Sequence, residues 1–228
     1  MVERDLESRG ITDPRVLDAL RTVPRERFLP TELEEFAYDD RPLPIEEGQT
    51  ISQPFIVASM AEAAELRATS RVLEIGAGSG YSAAVLGRVG GQVWTIERHE
   101  PLATRARQRI DDLDYDNIHV IVGDGTLGLP EEAPFDAIIV TAGGPSVPDA
   151  LIEQLADGGR IVIPVGIDAR GQRLLRIRRR GTDITEEDLG AVRFVPLIGA
   201  QGWDPPEGQS WPIPSDCEHD ATAVRHPR

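Results

Sequence analysis

Apolar positions along this chain repeat with two different periods, and the change of period marks out the elements. Between Arg71 and Gly166, short apolar runs (VLEI, VWTI, HVIV, FDAIIV, RIVIPV) alternate with stretches whose apolar residues recur every three to four positions. Short runs bounded by glycine or polar residues read as buried strands, and the longer period reads as helix. The pattern predicts strands at 72–75, 92–96, 118–122, 136–141 and 158–166. Helices are expected at about 80–88, 101–111 and 148–155. Two further strands, Arg173–Arg179 and Val192–Leu197, are expected to end the sheet. Such alternation defines an α/β fold, a doubly wound, Rossmann-like parallel sheet, with ligands at the carboxyl ends of its strands.

Upstream the pattern is less regular. Val16, Leu17 and Leu20 have helical spacing, and Asp13 followed by Pro14 supplies a cap and a first-turn proline, so a short helix is expected over 13–22. Ile56, Val57, Met60, Ala63, Ala64 and Leu66 predict a second helix over Pro54–Leu66. The intervening VPRERFLPTELEEFAYDDRPLPIEEGQTIS mixes prolines, acids and aromatics and reads as a structured loop over a site. After Trp203 the chain turns proline-rich and polar. The expected organisation is one domain over 1–203, with 1–70 as an N-terminal helical and loop extension acting as a substrate lid and 71–203 as the cofactor-binding core. A short C-terminal extension follows, with 204–228 as a flexible tail.

Chemistry concentrates in VLEIGAGSGY, where Gly76, Gly78 and Gly80 alternate between a strand and a helix start. Glycine there lets the chain turn sharply and a ligand approach the backbone. A dinucleotide fingerprint, G-x-G-x-x-G, places its third glycine where this chain has Tyr81. The register fits E-x-G-x-G-x-G, which resembles the S-adenosylmethionine loop of class I methyltransferases. Glu97, at the end of the next strand, could accept hydrogen bonds from both ribose hydroxyls, and Asp124 of HVIVGDG, followed by Gly125, could bond the adenine amino group. Taken singly, Glu97 also reads as an exposed strand-end residue and Asp124 as a turn cap.

Composition narrows the alternatives. A net charge of −15 opposes binding to nucleic acid. No apolar run approaches membrane-spanning length and the charged N-terminus does not read as a signal peptide, so a cytoplasmic protein is expected, without a membrane partner. The single cysteine, Cys217, excludes a disulfide or cysteine metal framework, and no metal is expected. All 24 basic residues are arginine, which suits a salt-rich or GC-rich source. The run RLLRIRRR reads either as a phosphate-binding patch or as a strand with charge on its solvent side, and the second reading is favoured.

The segments RPLPIEEGQTISQPFIVASM, VLEIGAGSGY, VGDG, EEAPFDAIIVTAG, LADGGRIVIPVG and FVPLIGAQGW together closely resemble the protein-L-isoaspartate O-methyltransferase family, from about residue 14 to 203. QTISQP is the family-specific part. The resemblance implies S-adenosylmethionine-dependent methylation of the carboxylate of L-isoaspartyl residues in damaged proteins and peptides, by a chain expected to be monomeric. It implies that Ser52 sits beside the acceptor carboxylate and that Gln49, Thr50 and Ile51 meet the methionyl end of the cofactor. Without it, Thr50 and Ser52 read as caps for the helix beginning near Pro54. A small-molecule or RNA acceptor, or a binding module without transfer activity, are the competing functions. The chain departs from many relatives at VTAGGPSVP, where Gly143 and Gly144 stand in place of alanines, and at Glu97, where some carry aspartate.

Overall fold

The computed structural model describes residues 1–167 and 171–204. Nearly all of the expected tail, with Cys217, lies outside the described residues. A two-stranded antiparallel hairpin, β1 (Leu43–Pro44) and β2 (Thr50–Ile51), stands apart from a seven-stranded sheet. The sheet comprises β3 (Arg71–Ile75), β4 (Gln92–Glu97), β5 (Ile118–Val122), β6 (Phe135–Val140), β7 (Leu155–Val165), β8 (Gln172–Arg180) and β9 (Asp183–Val192), in the order β5-β4-β3-β6-β7-β8-β9. The helices are α1 (Pro14–Thr22), α2 (Pro54–Ala63), α3 (Tyr81–Val89), α4 (Glu100–Asp112) and α5 (Asp149–Glu153).

Alternate residues of each central strand feed opposite faces. Val72, Val93, Ala137, Ile139 and Val162 join the core built with α1, α2, α3 and α4. Leu73, Trp94, Ile138, Ile161 and Ile163 join the other, which holds Leu151 of α5. Because both faces are covered, these strands are apolar at nearly every position, which is why they read as runs rather than as alternation.

The five strands from β5 to β7 are parallel, and the sheet closes with an antiparallel β7-β8-β9 meander. Two expectations change here. The sheet is mixed rather than wholly parallel, and its last strand is Asp183–Val192, not Val192–Leu197. The acid-rich DITEEDLGAV pairs along β8 as an edge strand with most of its side chains in solvent. Residues 193–197 instead run over the carboxyl ends of the strands, where Gly143 N donates to Val195 O and Leu197 N to Gly143 O, each at 2.8 Å.

The arginine-rich run is β8. Arg173 pairs with Asp188, Arg176 with Glu187 and Glu65, and Arg178 with Glu65. The guanidinium groups of these three are engaged by carboxylates of β9 and of the turn after α2, whereas Arg179 donates to the main-chain carbonyls of Leu155 and Gly181. Among the described residues no helix is long and apolar enough to cross a membrane.

Candidate active site

Strand order reverses between β4-β3 and β3-β6, so the carboxyl end of β3 opens a crevice at the sheet's switch point. The glycine loop begins there. Gly76, Gly78 and Gly80 all have positive φ, at 97°, 52° and 91°. At Gly76 the requirement is double, since a Cβ would also overlap Thr141 Oγ1 on the neighbouring strand's exit. Gly76 N bonds Ile96 O at 2.8 Å, which ties the loop to β4. Gly80 caps α3.

Glu97, only 5% exposed, turns its carboxylate to this loop: Oε2 accepts from Gly78 N at 2.9 Å and Oε1 from His99 N at 3.0 Å. A carboxylate offers about four acceptor positions, so about two remain for a diol. Asp124 does act as a cap, with Oδ1 accepting from Thr126 N at 2.9 Å and Thr126 Oγ1 at 2.7 Å. Its Oδ2 accepts from Ala200 N at 2.7 Å and keeps one acceptor position for an amino group. Burial would push this carboxyl up, but the hydrogen bonds from Ala200 and Thr126 outweigh it and hold it below the usual carboxylate range. Gly125 is required by packing, because a Cβ would enter Ile75 Cγ2.

Beneath the loop lies Glu74, fully buried on β3, with Thr95 Oγ1 donating to its Oε2 at 2.5 Å. Burial pushes this carboxyl up to about 7; the Ser82 and Thr95 hydroxyls pull the other way, and the charge of Glu97 adds to the rise.

The β1-β2 hairpin carries Gln49, Thr50 and Ile51 and packs its turn on the glycine loop. Ile45 Cδ1 stands 3.6 Å from where a Gly78 Cβ would lie. Glu46 pairs with Arg105 and, at 3.7 Å, with Arg109, whose NH1 donates to Ser79 O at 3.3 Å. Arg109 thus joins the hairpin turn to the glycine loop. Ser52 follows β2. The amide of Phe55 in the first turn of α2 is taken by Asp40 Oδ1 at 2.9 Å, and the N-cap residue Gln53 makes no side-chain cap bond. That capping need is met by Asp40, which also receives Gln53 Nε2 on Oδ2 at 2.8 Å.

Several residues that position the site escape a reading by spacing. Asp40 and the amides of residues 200 and 201 reach it only through the fold; Gln201 N donates to Thr126 Oγ1 at 3.0 Å. Arg105 and Arg109 were findable as a four-residue pair on one face of α4, and Glu74 as an acid inside an otherwise apolar run.

Glycine loop, buried strand-end carboxylate and switch-point crevice, on a sheet of this order, match the class I methyltransferase fold. The description matching residues 1–202 is Protein-L-isoaspartate(D-aspartate) O-methyltransferase (PCMT). The chain belongs to this family. It is 58% identical over 204 residues to Protein-L-isoaspartate O-methyltransferase 2 of Pelobacter propionicus, covering 89% of this chain and 91% of that one. A solved protein-L-isoaspartate O-methyltransferase superposes with a TM-score of 0.80 at 32% identity, over 89% of this chain and 67% of the other. A Plasmodium falciparum structure carrying the same enzyme description, in complex with S-adenosyl-L-homocysteine, gives 0.74 at 28% identity, over 86% and 96%.

Proposed function

We propose that this chain methylates the free carboxylate of L-isoaspartyl residues in damaged proteins and peptides, with S-adenosylmethionine as donor. The observation that carries the reading is the family match over residues 1–202, which takes in the glycine loop and QTISQP together. Bound in the crevice, the cofactor would supply a sulfonium-borne methyl group for transfer to an oxygen nucleophile, with the neutral thioether as leaving group.

The chain's part is to hold and orient. Gly76, Gly78 and Gly80 give the cofactor a close backbone approach, Glu97 receives the ribose hydroxyls, and Asp124, beside Gly125, receives the adenine amino group. Gln49, Thr50 and Ile51 flank the methionyl end. The Ser52 hydroxyl donates to one oxygen of the acceptor carboxylate and leaves the other to attack. No base is needed, because a carboxylate is ionised at neutral pH; positioning is the main contribution. The product ester loses methanol when the neighbouring main-chain nitrogen closes a succinimide, and water reopens the ring to give some normal aspartate.

In this proposal residues 1–70 form the lid over the acceptor, a role supported by the packing of Ile45 and Glu46 against the glycine loop and α4. The chain works as a monomer in the cytoplasm, which sedimentation at working concentration and fractionation of the source cell test. An RNA acceptor is disfavoured by the carboxylate partners of Arg173, Arg176 and Arg178.

The test is methyl transfer to an isoaspartyl peptide beside its aspartyl twin. Labelling of the isoaspartyl peptide alone is expected; equal labelling of both, or of neither, overturns the reading. Ser52→Ala is expected to lower kcat/KM for that peptide by about 10- to 100-fold, the loss of one hydrogen bond to a charged group.

A further inference from the structure

Arg25 is the largest fully buried side chain of the molecule's described part, at 0% exposure, and the site as described makes no use of it. Its guanidinium has no ion-pair partner among the described residues, and its Nε has no hydrogen bond. It spends its other nitrogens on main-chain carbonyls: NH1 donates to Ala37 O at 2.5 Å, and NH2 to Arg41 O at 3.2 Å and Ser52 O at 3.0 Å. Burial pulls its pKa down from the ordinary arginine value.

A buried cation held by carbonyls alone is costly and is a poor way to stabilise a fold. What it does provide is geometry. A rigid, planar fork fixes the directions of several carbonyls at once, whereas an ammonium with three rotatable donors on a flexible stem sets them less strictly. The three carbonyls come from the loop before β1, from its end, and from Ser52 itself.

The other side of Arg25 faces the cofactor loop. Its guanidinium carbon lies 5.5 Å from the ring centroid of Tyr81, the first residue of α3 directly after Gly80. Phe28, three residues along the same short helical turn (Arg25–Phe28), meets that ring edge-on at 5.6 Å. One turn of chain therefore grips the Ser52 backbone with one hand and the start of the cofactor-binding helix with the other.

We propose that Arg25 is a positioning residue for methyl transfer, fixing the Ser52 backbone against the helix that opens the glycine loop and so setting the acceptor edge relative to the donor. The inference rests on the reading of Ser52 as the residue that meets the acceptor carboxylate. Arg25 does not touch substrate or cofactor; it acts through Ser52.

The experiment is a double-mutant cycle on the full chain with Arg25→Lys, Ser52→Ala and the pair, measuring kcat and KM for the isoaspartyl peptide and S-adenosylhomocysteine affinity by calorimetry. Arg25→Lys keeps the charge and loses the fork. It is expected to raise the peptide KM about tenfold while S-adenosylhomocysteine binds within about twofold of the parent. In the Ser52→Ala background the same change is expected to cost less than about twofold, because the geometry it protects no longer has a hydroxyl to present. An Arg25→Lys loss that persists in full in that background, or that falls equally on S-adenosylhomocysteine binding, makes Arg25 a residue of the fold and overturns the assignment. So does an unchanged peptide KM. Unchanged turnover in Ser52→Ala alone overturns instead the reading of Ser52. Arg25→Gln serves if the lysine variant does not fold, and failure of both to bind S-adenosylhomocysteine also counts against the assignment.

Discussion

At the scale of single residues, the site's demands are steric and electrostatic and can be separated. Gly76→Ala meets both a φ of 97° and the Thr141 hydroxyl, a strain of about 1–3 kcal/mol placed in the loop proposed to cradle the cofactor. S-adenosylhomocysteine affinity is expected to fall at least about tenfold, read by calorimetry. Glu74 gives a pH signature. Its carboxyl, raised to about 7 in the fold, binds its proton more tightly folded than unfolded, so its contribution is complete below the unfolded value and is lost as pH rises towards 7. Carboxylates held low, such as Asp124 and Glu46, act in the opposite direction and at lower pH, their contribution lost as pH falls below the ordinary carboxylate range. Glu74→Gln is expected to flatten stability between about pH 5 and 7 and to raise it at pH 8, measured by urea unfolding at each pH. A parent chain whose stability does not fall over that interval, after the variant is used as the reference, sinks the assignment.

At the scale of elements, the hairpin and the strap after β9 approach the crevice from different parts of the chain. The hairpin turn is held by Glu46 on Arg105 and Arg109, and two of its residues, Glu47 and Gly48, have φ of 56° and 64°. Glu46→Gln removes the charge that holds this turn against α4. It is expected to speed S-adenosylhomocysteine release in stopped flow by a few-fold, roughly the worth of a partly exposed ion pair, and to make the rate less sensitive to salt. A release rate equal to the parent's at low salt argues that the hairpin does not gate the site. The strap fits only because Gly199 has no side chain, since a Cβ there would enter the Asp124 carboxylate. The last glycine-bearing segment, FVPLIGAQGW, is thereby explained as a cover that delivers two amides to the Asp124–Thr126 turn.

At the scale of the molecule, 39 acids face 24 arginines, giving a net charge of −15. Self-repulsion of that size destabilises the compact state and is screened by salt. Ion pairs such as those of Glu65 with Arg160, Arg176 and Arg178 are screened too, but exposed pairs contribute little. The melting temperature is therefore expected to rise from low to molar salt, and a flat or falling curve removes the case for adaptation to salt. The mixed sheet belongs to this scale as well. β9 is an edge, with β8 as its one partner among the described residues and solvent on most of its side chains, and its acids suit that place, because charge on an exposed edge discourages pairing with a second chain.

The sequence by itself determined the local chemistry: strands buried on both faces are apolar throughout, and the three glycines, Glu97 and Asp124 with Gly125 follow strand ends at readable spacings. Period and glycine placement are properties of neighbouring residues, so they survive without a fold. Only the tertiary structure decided which acid caps α2, that Asp40 rather than a hydroxyl of QTISQP takes the Phe55 amide, and that Ala200 and Gln201 reach back to Asp124 and Thr126. It also decided that an acidic stretch becomes β9 and that Arg25 joins Ser52 to Tyr81. The contacts of Asp40, Ala200, Gln201 and Arg25 link positions 15 to 76 residues apart, and no local period records them because each depends on how the chain returns to itself.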